Sequence, residues 1–303
     1  MNRRNFLKNS IYASAGIASS VCLSSCNNEK STTVSILHTN DVHSHITPFD
    51  NNHSEYPNQG GFSRRSTLVS EIRRKNPNTL LFDAGDVFQG TPYFNVFEGE
   101  LEFKLMSLLK YDAMTIGNHD FDNGILGLKK QISHASFDFI CSNYDFSNTI
   151  LEGKTSKYKV YKKSNIKIGV FGLGIKLTGL VSKNLFKETK YLDPLEMAQE
   201  MSNQLKKNEK CDLVVCLSHL GYKYKDEDKI CDHIIAKNTR YIDLIIGGHT
   251  HTFMKKPETV KNKIGKQVLI NQVGCFGLYL GKVDFEFYNK KLKSKFFSNL
   301  SIF

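Results

Sequence analysis

Between residues 41 and 251, five short blocks bring together carboxylates, imidazoles, an amide and glycines. They are "DVH" with Asp41 and His43, "GDVFQG" with Asp86, "GNHDFD" with Asn118, His119 and Asp122, "SHLG" with His219, and "GGHTH" with His249 and His251. Oxygen and imidazole donors suit Zn²⁺, Mn²⁺, Fe or Co, and such a set needs no thiolate. A single histidine after a strand is ordinarily a surface or hydrogen-bonded core residue. His38, His53, His134 and His233 are read that way, and so is His45, although it lies nearer the blocks. Five blocks that share one kind of position call for another explanation.

The position is set by the elements around them. "TVSILHTND", "TLLFDAGD", "AMTIGNHD", "FDFICSN", "IKIGVFGLG", "DLVVCLSHLG" and "IDLIIGGHT" are short apolar runs ending in turn residues, the pattern of buried strands. Helical spacing lies between several of them. It places Leu68, Val69 and Ile72 on one side of one segment, and Leu101, Leu105, Leu108 and Leu109 on one side of another. Asp193 before Pro194 reads as an N-cap with proline at the first helical position. Alternating strands and helices predict an α/β protein with largely parallel sheet. "KQVLINQVG" and "LYLGKVDFEFYN" follow one another without a helix, which predicts a mixed sheet or a second sheet packed on the first. Ligands of such sheets bind beyond the carboxyl ends of the strands. Each chemical block stands at such an end, so the five are expected to converge.

The N-terminus reads as a leader. Arg3 and Arg4 precede a short, weakly apolar run, and Leu23-Ser24-Ser25-Cys26 has the form of a bacterial lipobox. The run is too short to span a membrane, and the paired arginines resemble a twin-arginine export signal. This predicts a signal peptide over 1–25, lipid on Cys26, a polar tether over 26–33 and a working domain over 34–303, in an exported protein of the periplasm or cell envelope. The 303 residues carry a formal charge of +11. Loss of Arg3, Arg4 and Lys8 with the leader brings this to +8. The surplus is mostly lysine and reads as a solvated face in preference to a nucleic-acid or anionic-lipid surface. Cys141, Cys211, Cys216, Cys231 and Cys275 lie mostly in apolar runs and form no CxxC pair, which argues against a disulfide or zinc framework.

In their order and surroundings the five blocks resemble the calcineurin-like metallophosphoesterase superfamily. "LHTNDVHSH", "LLFDAGDVFQGTPYF", "YDAMTIGNHDFDNG" and "NQVGCFGLYLGKVD" are similar to the catalytic domain of the bacterial 5'-nucleotidase family, over essentially all of residues 34–303. The resemblance implies a four-layer sandwich of two mixed sheets flanked by helices. It implies two divalent ions, Zn, Mn, Fe or Co, with Asp41, His43, Asp86 and His251 on the first and Asp86, Asn118, His219 and His249 on the second. Two such ions bring +4 and the two carboxylates return −2, which leaves a site that favours a phosphate dianion. The implied chemistry is phosphoester hydrolysis by a metal-activated water. In it His119 is a histidine that binds no metal and serves the transition state or the leaving group, and Asp122 orients it. Asp122 also reads as an N-cap for the helix that follows. Asp120 is left with loop support. Glycines 85, 117, 247 and 248 are expected to allow tight strand-to-loop turns and close approach of the ligands. In "GHTH" an extended backbone would point His249 and His251 the same way.

Some family members carry Gln where this chain has His251. The full-length nucleotidases add a C-terminal nucleoside-binding domain, and none is expected within these residues. The substrate is therefore either a smaller or different phosphoester, or a nucleotide bound with the help of a separately encoded domain. A phosphodiesterase or nuclease of the same superfamily and a non-catalytic binding subunit are the alternative readings. Asn143, Arg64, Tyr93 and Phe94 are weaker candidates for substrate contact.

Overall fold

In the computed structural model, residues 31–226 and 228–303 are described. The predicted leader and Cys26 lie outside them. The chain runs β1 (Ser31–Thr39), α1 (Phe62–Lys75), β2 (Thr79–Asp83), α2 (Pro92–Phe97), α3 (Glu100–Leu108), β3 (Ala113–Met114), α4 (Gly124–Ile132), β4 (Asp138–Phe139) and β5 (Tyr144–Asp145). It continues β6 (Tyr158–Lys163), β7 (Ile166–Leu173), α5 (Lys183–Phe186), β8 (Lys190–Tyr191), α6 (Pro194–Asn203), β9 (Leu213–Ser218), α7 (Asp232–Asn238) and β10 (Leu244–Gly247). It closes with β11 (Glu258–Lys261), β12 (Gln267–Asn271), β13 (Tyr279–Tyr288) and β14 (Lys291–Ser301).

Among the described residues the strands form two six-stranded sheets, ordered β14-β13-β1-β2-β3-β4 and β11-β12-β10-β9-β7-β6, and a small β5-β8 pair. Both large sheets are mixed. Neighbours from β1 to β4 are parallel, as are β7, β9, β10 and β12, whereas β13-β14, β11-β12 and β6-β7 are antiparallel. Ile36, Leu80 and Phe82 of the first sheet pack against Ile168, Val215 and Ile246 of the second, forming a dry core between the sheets. On the outer face of the first sheet, Val69, Phe103 and Leu128 of α1, α3 and α4 meet Leu37, Leu81 and Met114. On that of the second, Met197, Met201 and Ile235 of α6 and α7 meet Val214, Cys216 and Ile245. This is the expected four-layer arrangement. It explains why β2 and β9 read as continuous apolar runs: both of their faces are covered.

Asp193 caps α6 as the sequence indicated, accepting from the N–H groups of Leu195 and Glu196. The five cysteines are free and buried. One boundary moves. β1 begins at Ser31, so the strand takes in residues 31–33 of the segment read as a tether. Thr32 and Val34 alternate inward there, and β-branched side chains fit a half-buried strand.

The two sheets come into backbone contact at Gly172 of β7, whose carbonyl accepts the Ser142 N–H at 2.8 Å. A Cβ on Gly172 would stand 1.9 Å from the Ile140 carbonyl oxygen, which no rotamer change relieves. Gly172→Ala is expected to cost about 1–3 kcal/mol or more through overpacking. Urea denaturation would show this as a lower midpoint with an unchanged slope.

Candidate metal centre

The five blocks do converge. Asp41 and His43 follow β1, Asp86 follows β2 and Asn118 follows β3, three adjacent parallel strands of one sheet. His219 follows β9, and His249 and His251 follow β10, adjacent strands of the other sheet. The loops after β1 and β2 stay paired beyond the strands, with Asp41 N–H donating to the Gly85 carbonyl and His43 N–H to that of Asp86.

Two clusters result. Asp41, His43 and His251 bring ligand atoms within 4.8 Å of one another, and so do Asp86, His219 and His249. Asp86 faces both. Its Oδ2 is 3.0 Å from His219 Nε2 and 4.0 Å from His43 Nε2. The Asn118 side-chain oxygen lies 2.9 Å from His249 Nδ1, at the edge of the second cluster.

The donor set fits two cations on geometry alone. His43 Nδ1 is 3.1 Å from the Phe88 carbonyl and His219 Nδ1 is 2.7 Å from that of Ala84. A carbonyl only accepts, so each Nδ1 carries a proton and Nε2 is the nitrogen that each ring turns inward, a lone pair whenever a metal takes the place of a proton there. These nitrogens face other electron-rich atoms. His43 Nε2 meets His251 Nε2 at 3.0 Å, and His219 Nε2 meets the Asp86 carboxylate without forming a hydrogen bond of good geometry. Such groups tolerate one another only with a cation or a proton between them. Backbone carbonyls fixing the far nitrogen of each ring are the usual support of metal-binding histidines.

The electrostatics of the site agree. Burial opposes protonation of His219, but Asp86 and Asp41 outweigh it and push the imidazole up to about 10. For Asp86 burial acts upward, yet the charge of His219 and contact with it, with help from His43, hold the carboxyl below its usual range. Burial, with the charge of His219, brings His249 down to about 4, and burial also lowers His43. These two rings are neutral and ready to donate at neutral pH.

Backbone strain marks the same residues. Asp41, His43, Asp86, His249 and His251 all have φ between +48° and +70°. Outside Gly, Asn and Asp this is costly, of order 1–3 kcal/mol each. It also corrects the reading of "GHTH". The segment is not extended: left-handed turns at both histidines send His251 to the first cluster and His249 to the second. Thr250 does point away, bonding to Thr252 and Gln272. Of the four glycines only Gly85 is left-handed. A Cβ at Gly117, Gly247 or Gly248 would instead meet Asp86 Oδ1 at 2.2 Å, Asp232 Oδ2 at 2.2 Å or His219 Nδ1 at 2.9 Å, so these three serve close approach.

His119 stands apart from both clusters. Its Nδ1 is 2.8 Å from Asp122 Oδ2, and its ring lies 5.3 Å from that of His43, centroid to centroid. Hydrogen bonding to Asp122, against the opposing effect of burial, raises its pKa above the usual histidine value. Asp122 therefore does not cap α4. The cap position is Asn123, which makes no side-chain cap bond. Asp120 accepts from the N–H groups of Asp86, Val87, Phe88 and Gly117 and so clamps the β2 and β3 loops together.

Asn143 is buried and fully engaged with the backbone of Gly174, and Arg64 is held by Asn58 and Gly60. Phe94 packs on Phe88. His38 is buried, with burial bringing it down to about 3. Residue-type reasoning missed Asn40, which donates to Asp41 Oδ2 and the Gly274 carbonyl and accepts from Val273 N–H. It also missed Gln272, whose amide holds the Gly248 carbonyl and Thr252 N–H. Their only signal was adjacency to a chemical block or a strand end.

Residues 34–253 match the family model of the calcineurin-like phosphoesterases. The chain belongs to this family. Among curated relatives of this calcineurin-like phosphoesterase, the snake venom 5'-nucleotidase of Crotalus adamanteus is 33% identical over 277 residues, covering 85% of this chain and 46% of the relative. The 5'-nucleotidase of Homo sapiens is 33% identical, covering 84% and 46%. The chain thus spans about half the length of these relatives. The crystal structure of a 5'-nucleotidase precursor from Thermus thermophilus superposes with a TM-score of 0.81 at 33% identity, covering 89% of this chain and 54% of that one.

Two measurements test the centre. Metal analysis of protein purified without chelator should find about two divalent ions per chain, and His219→Ala about one. A metal at His219 must displace the proton that Asp86 and Asp41 otherwise hold there. Calorimetric titration with Zn²⁺ or Mn²⁺ should therefore release protons and show tighter binding at pH 8 than at pH 6.

Proposed function

We propose that this chain is a metal-dependent phosphomonoesterase of 5'-nucleotidase type, exported and held to the membrane by lipid on Cys26. The observation that carries the reading is a His119–Asp122 pair beside, but outside, two clusters of metal-binding type. The names of the relatives support the substrate class.

In this reading Asp41, His43 and His251 would hold one ion, Asn118, His219 and His249 would hold the other, and Asp86 would serve both. When bound, the ions supply Lewis-acid polarisation of the phosphoryl group and a water of lowered pKa. The protein does the rest. Asp120, Asn40 and the carbonyls of Ala84 and Phe88 hold the donor groups in place before substrate arrives. Asp122 fixes the proton on His119 Nδ1. The other nitrogen, Nε2, is thereby committed to the leaving oxygen, and when it is protonated it can hand over its proton as the ester bond breaks. The His119 side chain is 38% exposed, so a substrate can reach it, unlike fully buried His219.

The metal-loaded protein should release inorganic phosphate from 5'-AMP and leave bis-p-nitrophenyl phosphate and DNA intact. Cleavage of the diesters with no phosphate release would overturn the reading in favour of a phosphodiesterase. His119→Ala should keep both ions and lower the turnover of 5'-AMP by about 10²–10⁴-fold. Asp122 stabilises the imidazolium, so Asp122→Asn lowers the His119 pKa. A proton donor fails as pH rises through its pKa, and the alkaline fall of kcat should therefore move to lower pH in this variant. An unmoved limb would remove Asp122 from the mechanism. Export and anchoring predict that Cys26→Ala shifts the protein from membrane to soluble fractions.

A further inference from the structure

A continuous strip of aromatic rings leads away from the metal centre. It begins at Phe276, whose ring lies 6.0 Å from that of His251 and 6.2 Å from that of His43. Tyr56 follows at 6.5 Å, and Phe253 at 6.3 Å from Tyr56, these two rings within 26° of parallel. His45 backs Phe276 at 4.3 Å. The centre's chemistry uses none of Tyr56, Phe253 and Phe276.

Three features show that the strip is built and not incidental. Phe276 has φ +61°, a left-handed conformation that is an outlier for a bulky residue, and its N–H is pinned at 2.7 Å to the carbonyl of Asp41. Strain of this kind persists where the surroundings impose it, commonly at functional sites. Phe253 is 44% exposed although large and apolar, and its ring covers Gly274 so closely that a Cβ there would stand 2.1 Å away. Tyr56 sits on a loop folded on itself, with the N–H groups of Glu55 and Tyr56 donating to His53 Nδ1 and the Tyr56 ring stacked on His53 at 14°. Beyond Phe253 the strip opens on a cleft of about 300 Å³ that Tyr279 and Lys255 help line.

We propose that the strip of Phe276, Tyr56 and Phe253 is the leaving-group subsite of this chain, and that it selects phosphoesters whose alcohol carries a flat ring, a nucleobase above all. The proposal rests on the phosphomonoesterase reading and adds the recognition element to it. His43 stands between His119 and the strip, its ring 5.3 Å from that of His119 and 6.2 Å from that of Phe276, so on this proposal an alcohol leaving at His119 reaches the strip past His43. A sugar then spans the first ring and sets an attached base over Tyr56 and Phe253. Flat faces stack with any base, so the subsite favours nucleotides as a class over ring-free phosphates and discriminates weakly among bases.

The test compares two esters on the metal-loaded protein, 5'-AMP and ribose 5-phosphate, as the ratio of their kcat/KM values. Both have the same reacting group and differ by the base alone. Phe253→Ala and Phe253→Leu should each lower the ratio of nucleotide to sugar phosphate about tenfold, mainly by raising KM for the nucleotide, and Phe253→Trp should restore it. Tyr56→Ala should act in the same direction. A ratio unchanged in both alanine variants, or one that Leu preserves as well as Trp, overturns the subsite. If the wild type hydrolyses neither ester, the phosphomonoesterase reading fails and the strip is judged by saturation-transfer NMR with adenosine. Contacts to the adenine protons that Phe253→Ala abolishes uphold the strip, and no contacts with the wild type overturn it.

Discussion

Two carboxylates, Asp41 and Asp86, are shut away from water where two sheets meet, and their charge has to be answered there. Burying unpaired carboxylates would cost more than the fold could supply. Part of the answer is the backbone: Asp41 takes the N–H of His249, and Asp86 that of His119. The remainder is four histidines, of which His219 turns an unshared nitrogen towards Asp86. Such an arrangement is stable only with positive charge at its centre. The strain at the surrounding residues, the close-approach glycines and the Asp120 clamp follow from holding these groups so near one another.

The sandwich is the means of doing so. Parallel strands end side by side, and a sheet therefore presents several loops at one edge. Here β1, β2 and β3 offer one set and β9 and β10 another, and face-to-face packing brings the two edges together. Neither sheet alone carries a complete cluster, because His251 comes from one and Asp41 with His43 from the other. The second cluster divides the same way between Asp86 and the pair His219 and His249. Folding of the two sheets against each other and assembly of the metal centre are thus one event. A change such as an added methyl at Gly172 loads the contact on which the centre depends.

Much was legible in the sequence because the signals are local. Apolar runs of strand length, punctuated by Gly and Asp, gave β1, β2, β9 and β10 their places, and the position of each block at a strand end is a property of a few consecutive residues. Cysteine spacing and the Asp193-Pro194 cap were equally local. The apolar run before "GNHD" and the one containing "FDFIC" were recognisable too, although each yields only a two-residue strand, β3 and β4. The division of labour in "GNHDFD" needed contacts: Asp122 was both a plausible cap and a plausible partner of His119, and the position of the imidazole decides it.

The sequence by itself determined which residue types stand at the strand ends, that they are metal-binding oxygens and nitrogens, and that the chain alternates strands with helices. It did so because side-chain chemistry and hydrophobic period are written along the chain. The family resemblance already assigned each histidine to an ion; only the tertiary structure showed the contacts that hold each one in its cluster. It alone revealed the left-handed turns that part His249 from His251, the carbonyls that set the tautomers of His43 and His219, and the file of rings from Phe276 to Phe253. These depend on pairs of residues up to about two hundred positions apart meeting within a few ångströms, as His43 and His251 do, and no local pattern encodes such a meeting.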